Sequence, residues 1–315
     1  MVAERAGSGG GWRVAAPAWP PRAHEARWYA VGGACLIAFS SILVRLSGAS
    51  PSTAAIFRCA YALPVLGAIA WREDRRHGPR RWRDRRAAVA AGLFFAADLI
   101  MWHNSIEDVG AGLATVLANV QVVLVPLVAW LVLSERPGRR VLAALPLAAV
   151  GVLLISGVLE AHAYGRHPER GALLGLGAGV AYVGFLLLLR RGGVDLRRPA
   201  GPLFDATATG AVGCVLAGLV IGDAHLVPVW PSAGWLVLLA LSSQVLGWLA
   251  ITVSLPRLPA AMTSLLLTVQ PIGSLAAAAA IFGESPSALQ LLGALAVLGA
   301  LVAASAPARM RLERR

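Results

Sequence analysis

Ten apolar stretches of about 20 residues dominate the chain: roughly 29–47, 52–71, 87–105, 111–133, 141–158, 171–189, 203–222, 233–254, 259–282 and 287–306. About 20 apolar residues is the length an α-helix needs to cross hydrocarbon. Lipid offers the backbone no hydrogen-bond partner, so only helices and closed barrels span it. Barrel strands alternate apolar and polar residues and are about half as long. These runs are continuous, so they predict helices. Charged residues make up 14% of the chain, against about 25% in an ordinary soluble domain. The predicted fold class is therefore all-α: a polytopic membrane protein with ten transmembrane helices.

The formal net charge of +12 would suit nucleic acid, but its distribution argues otherwise. All 28 basic residues are arginine. With ten spans and the N-terminus inside, 24 of them fall in the N-terminal tail, the 72–86, 134–140 and 190–202 loops, Arg257 and the C-terminal tail. Only Arg166 and Arg170 fall outside, and Arg45 and Arg58 lie within helices. That asymmetry follows the positive-inside rule and predicts cytoplasmic N- and C-termini. The cluster RRHGPRRWRDRR (75–86) then reads as a topology signal and a contact for anionic lipid headgroups, with no nucleic acid as partner. Cys35, Cys59 and Cys214 lie in separate apolar runs at unpaired spacings. No disulfide framework, metal site or cofactor is expected from them. Arg45, near the outer end of its run, reads as a snorkelling side chain.

The chain also repeats itself. Displaced by 149 residues, VGAGLATVLANVQVVLVPLVAWLVLSERP (109–137) falls on LPAAMTSLLLTVQPIGSLAAAAAIFGESP (258–286) without a gap. Gln121 meets Gln270, Glu135 meets Glu284, and Pro137 meets Pro286. Two halves of five helices follow, and an odd number of spans inverts the second half. The expected organisation is a disordered cytoplasmic tail (1–27), a first five-helix repeat (28–158), an outer linker (159–170), a second, inverted five-helix repeat (171–306) and a basic cytoplasmic tail (307–315). Inverted repeats are typical of secondary transporters, whose substrate sits near the midplane between the halves.

This layout resembles the drug/metabolite transporter superfamily, EamA type. The likeness is carried by the five-plus-five arrangement, the SERP (134–137) and GESP (283–286) elements, and Arg58 early in the second helix. It spans about residues 28–306. It implies a central cavity between two four-helix groups, with the fifth and tenth helices packed peripherally. It also implies a bacterial inner-membrane exporter of a small metabolite, such as an amino acid.

Ionisable residues at mid-bilayer are costly and face a wet cavity or a partner. Asp98 stands near the middle of the third run. It reads either as a ligand for a substrate amine or a proton carrier, or as the structural partner of Arg58. Trp102 and Ser105 follow at i+4 and i+7 on the same face. His103 lies about 140° round the helix and is a candidate for proton coupling, or else a hydrogen-bonded interface residue. Thr115 and Asn119 form a polar stripe that Ser264 and Thr268 repeat in the second half. They read as cavity lining or as glue between helices. Gln121 and Gln270 fall about 200° away from that stripe, which predicts glue for them. Gln244 and Trp248 form a further i, i+4 pair, and Trp102 and Trp248 could stack on a flat or cationic ligand. Asp205 is placed to cap the seventh helix. Pro64, Pro126, Pro146 and Pro271 are expected to interrupt their helices.

Serine elbows, H-E-x-x-H and P-loops are missing from the sequence, so an enzyme is not expected. The reading is a secondary transporter that exports a small-molecule substrate by alternating access, with a proton as candidate counter-ion. The alternative is a membrane enzyme or a lipid-binding scaffold with a headgroup cavity.

Overall fold

A computed structural model of the protein describes residues 23–133, 138–160, 162–193, 195, 197–227, 229–254 and 268–305. The described residues are helical, with no strand among them. Six helices are long and apolar enough to cross a membrane: Ala26–Ser47, Pro51–His77, Trp82–Val109, Pro168–Gly192, Ala200–Ile221 and Ser232–Ser254. Shorter apolar helices cover Ala111–Leu124, Val269–Phe282 and Ala288–Ala304.

Several spans are broken near their middles. The first divides at Phe39 into α1 (Ala23–Ala38) and α2 (Ser40–Ser47). The second divides at Tyr61–Ala62 into α3 (Pro51–Ala60) and α4 (Leu63–His77). Pro64 has no N–H to offer the turn before it, which explains that break. α5 (Trp82–Val109) runs uninterrupted. α6 (Ala111–Ala118) and α7 (Gln121–Leu133) are separated by a tight turn at Asn119–Val120. α8 (Arg139–Ile155) carries Pro146 without breaking. α9 (Pro168–Gly192) and α10 (Ala200–Ile221) are continuous. α11 (Ser232–Leu239) passes through a π-helical stretch, Ala240–Gly247, into α12 (Trp248–Ser254). α13 (Val269–Phe282) begins after a turn at Thr268, and α14 (Ala288–Ser305) ends the described chain.

Lipid tails are as apolar as leucine, so helix association depends on close packing. α8 and α14 show it most directly. A Cβ on Gly151 would lie 2.7 Å from the Gly293 carbonyl oxygen, and one on Gly293 would lie 2.6 Å from that of Gly151. The two backbones touch because both positions lack side chains. This pair packs mainly on itself at the edge of the bundle, as the resemblance implies for the fifth and tenth helices. α5 is central, clasped by α9 and α10. There Phe95 stacks on Phe185 at 4.6 Å, and Trp248 meets Phe185 edge-on at 5.1 Å. The expected cap at Asp205 is corrected: α10 starts five residues earlier, at Ala200, and Asp205 lies inside it, in an ion pair with Arg80 at 2.9 Å.

Candidate functional site: a closed polar cavity below an open vestibule

Two spaces lie in series along α5. Asp98 and Trp102 line a small central cavity of about 50 Å³. His103, Asn104 and Glu107, up to two turns further on, line a vestibule of about 1220 Å³. The vestibule opens at the end of α5 far from the arginine-rich 75–86 segment, among the loops around Gly48–Pro51, Tyr164–Arg166 and Asp223–His225. Room for one water takes about 10–15 Å³. The central cavity therefore holds a few waters, while the vestibule could take a whole metabolite.

The central cavity forms where helices break. Ile37 and Ser40 flank the interruption at Phe39, and Arg58 is two residues from the end of α3. Ala118, Asn119 and Gln121 surround the turn between α6 and α7. Trp248 follows the π-helical stretch, and Gln270 follows the turn at Thr268. Irregular backbone at membrane depth is tolerated where it lines a cavity, and broken helices do so in transporters.

Arg58 and Asp98 both line this space, and both are buried. They form no ion pair within 4.0 Å. Arg58 is held from the other half instead: its Nε donates to Gln244 Oε1 at 3.1 Å and its Nη2 to Ser243 Oγ at 3.3 Å. Gln244 Nε2 in turn donates to Thr207 Oγ1 at 3.1 Å. The guanidinium also sits 5.6 Å from the Trp102 ring centroid, over its face. Ser243 and Gln244, adjacent in sequence and both facing this cation, lie in the π-helical stretch Ala240–Gly247. π-helical turns are frequent at functional sites.

The sequence-predicted residues divide as follows. Asp98, Trp102, Thr115, Asn119, Arg58 and Trp248 meet at the cavity. Gln244 is fully buried behind Arg58 and positions it. His103 faces the vestibule, where its Nδ1 lies 3.0 Å from the Pro51 carbonyl oxygen. Thr268 is buried at the turn before α13. Ser264 and the SERP element lie outside the described residues. Gln121 and Gln270, expected as glue, line the cavity as well. The 200° estimate assumes 100° per residue, which fails across the turn at Asn119–Val120 and the matching one at Thr268.

Two polar atoms in the cavity have no partner among the described residues: the indole Nε1 of Trp248 and Oε1 of Gln121. Buried polar groups are nearly always paired, so a free donor and a free acceptor beside a separated guanidinium and carboxyl group suit a polar ligand. Thr115 is engaged differently. Its Oγ1 donates to Ala111 O at 2.8 Å and accepts from Ser274 Oγ at 3.0 Å, and Ser274 Oγ lies 2.6 Å from Ser41 Oγ.

Glu284, in the GESP element, was not assigned from sequence. It is buried and accepts the N–H groups of Ala111 (2.8 Å) and Gly112 (3.2 Å), the first two residues of α6. It also pairs with Arg45. Arg45 lies over the Phe282 ring, 4.5 Å from its centroid, and lines the vestibule, which corrects the snorkelling expectation. Gly110 makes room: its φ is +88°, and a Cβ there would lie 2.7 Å from the Glu284 carboxylate. The exact Glu-x-Pro match between the two halves was the available signal.

A family model described as "EamA-like transporter family" matches the chain twice, over residues 26–157 and 169–306. The chain belongs to the EamA-like transporter family. Each half of this EamA-like chain thus matches the same model. No curated protein matches the chain. Among solved structures, 21 chains match. One, described as "Crystal structure of protein", aligns with a TM-score of 0.60 and 17% identity, covering 90% of this chain and 97% of the other. At that identity the likeness shows the fold alone. The protein is a multi-pass membrane protein of transporter type.

Proposed function

We propose that the protein is a ten-span secondary transporter built as two inverted five-helix halves. It exports a small zwitterionic metabolite, such as an amino acid, across the inner membrane of a bacterium, with both termini cytoplasmic and the arginine-rich loops against anionic headgroups. The observation that carries this reading is the convergence of broken helices from both halves on one cavity, where Arg58 and Asp98 stand apart without pairing. A carboxylate suits Arg58 and an ammonium suits Asp98. The unpartnered indole N–H of Trp248 and carbonyl of Gln121 supply further polar contacts. The cavity is too small for such a cargo and the vestibule is not, which supports a state open on one face and closed at the centre. With a proton as counter-ion, Asp98 is its carrier.

The test is efflux of pooled labelled amino acids from proteoliposomes, with and without a pH gradient, for wild type, Asp98→Asn and Arg58→Gln. A hydrogen bond to a charged group contributes about 1.5–3 kcal/mol, so each variant is expected to lose roughly tenfold or more in efflux. Equal efflux by wild type and Asp98→Asn, with both folded, removes the cavity from the mechanism. Gradient-independent efflux removes the proton.

A further inference from the structure

The 149-residue displacement that relates the halves also relates two contacts at opposite ends of the α3–α4/α10 pair. At the arginine-rich end, both carboxylate oxygens of Glu73 accept backbone N–H groups of α10, from Ala200 at 3.1 Å and Gly201 at 2.9 Å. At the vestibule end, Asp223 Oδ2 accepts the N–H of Ser52 in α3 at 3.2 Å. Displacement by 149 carries Pro51 and Ser52 onto Ala200 and Gly201, and carries Glu73 to within one residue of Asp223. Each half therefore ends its second helix with an acid that caps the second helix of the other half. A carboxylate at a helix N-terminus satisfies orphan N–H groups and opposes the helix dipole.

The two caps are unequal, for a covalent reason. Ala200 offers an N–H at the first helical position, whereas Pro51, in the equivalent place, has none. Asp223 Oδ1 is accordingly buried with no partner among the described residues. The Glu73 end is reinforced further: Arg198 donates to the carbonyls of His77 and Gly78, the latter at 2.6 Å, and Arg80 pairs with Asp205 at 2.9 Å. The Asp223 end borders the open vestibule. Its remaining contacts come from the Asp223 carbonyl, which accepts from Ser50 Oγ and Thr53 Oγ1, and from His225 N, which donates to Thr53 Oγ1 at 2.8 Å.

We infer that Glu73 and Asp223 are reciprocal gate latches, one on each face, and that the missing N–H of Pro51 biases the resting protein toward the state closed at Glu73 and open at Asp223. In this state the Glu73 latch holds two backbone N–H groups and the Asp223 latch holds one, because Pro51 supplies none. The inference takes its meaning in transport from the alternating-access reading, but its test needs no substrate. A failed efflux assay and a failed latch test are therefore separate results.

The experiment is hydrogen–deuterium exchange of the full chain in nanodiscs, followed in peptides covering 48–55 and 198–205, with thermal unfolding as the check on folding. Glu73→Gln weakens one latch. Exchange over 198–205 is expected to rise roughly fivefold, the scale of one lost cap, while exchange over 48–55 falls. Asp223→Asn is expected to do the reverse. Pro51→Ala restores the missing donor and should also raise exchange over 198–205 and lower it over 48–55. Because it adds a contact, it carries the test if Glu73→Gln does not fold. If each variant changes only its own face, the acids are local caps and the inference is overturned. Loosening of both faces together overturns it as well.

Discussion

Arg58 is the residue on which the central cavity depends. It is buried, and it donates hydrogen bonds to Gln244 and Ser243 rather than pairing with Asp98. Gln244→Leu keeps the bulk of the side chain but leaves the guanidinium without its closest acceptor and Thr207 without its donor. The expected cost is about 2 kcal/mol of stability, read as a lower thermal midpoint, with a raised KM for efflux in the protein that remains. Gln244→Glu keeps the acceptor and should recover most of the stability. Glu284 offers a second residue-scale prediction. Glu284→Ala strips the acceptor from Ala111, Gly112 and Arg45 at once. Its expected loss, about 3 kcal/mol, should exceed that of Glu284→Gln in a thermal-unfolding series. Asp98, Trp102, Thr115 and Asn119 could be singled out from sequence because polar residues stand out in an apolar run, and the structure brings them to one space. Glu284, Glu73 and Asp223 could not be assigned that way, because a carboxylate beside a loop gives no sign of the helix it reaches across the fold.

Helix geometry explains most of what sequence periodicity missed. The apolar runs are long, so the existence of each helix is legible wherever the chain is described. The breaks are less so. Pro64 marks one directly, Pro146 leaves α8 intact, and the break between α6 and α7 lies seven residues before Pro126. The break at Phe39 and the π-helical stretch at Ala240–Gly247 contain no proline at all. Because each break resets the angular count, Gln121 turns to the cavity with Asn119 rather than away from it. The peripheral pair α8 and α14 permits a clean test at this scale. Gly293→Val places a side chain where the Gly151 carbonyl already lies 2.6 Å from a Cβ. Overpacking of this kind costs about 1–3 kcal/mol. The thermal midpoint should fall, while the KM for efflux stays at its wild-type value because neither helix lines the cavity.

Across the whole molecule, the difference in volume between vestibule and cavity has a direct readout. In a background lacking Cys35, Cys59 and Cys214, Asn104→Cys lies in the vestibule and Ala118→Cys lies in the central cavity. A membrane-impermeant maleimide is larger than the few waters the cavity holds. Asn104→Cys is therefore expected to react at least about tenfold faster, and equal rates would mean that the two spaces are connected. The Glu284 contact also bears on how the chain is made. Ala111 and Gly112 wait for a carboxylate 173 and 172 residues later in the sequence. At about 5–20 residues per second, that is roughly 10–35 s of synthesis with the start of α6 uncapped. A ribosome that stops short of Glu284 leaves the first two N–H groups of α6 without the acceptor that the finished fold gives them.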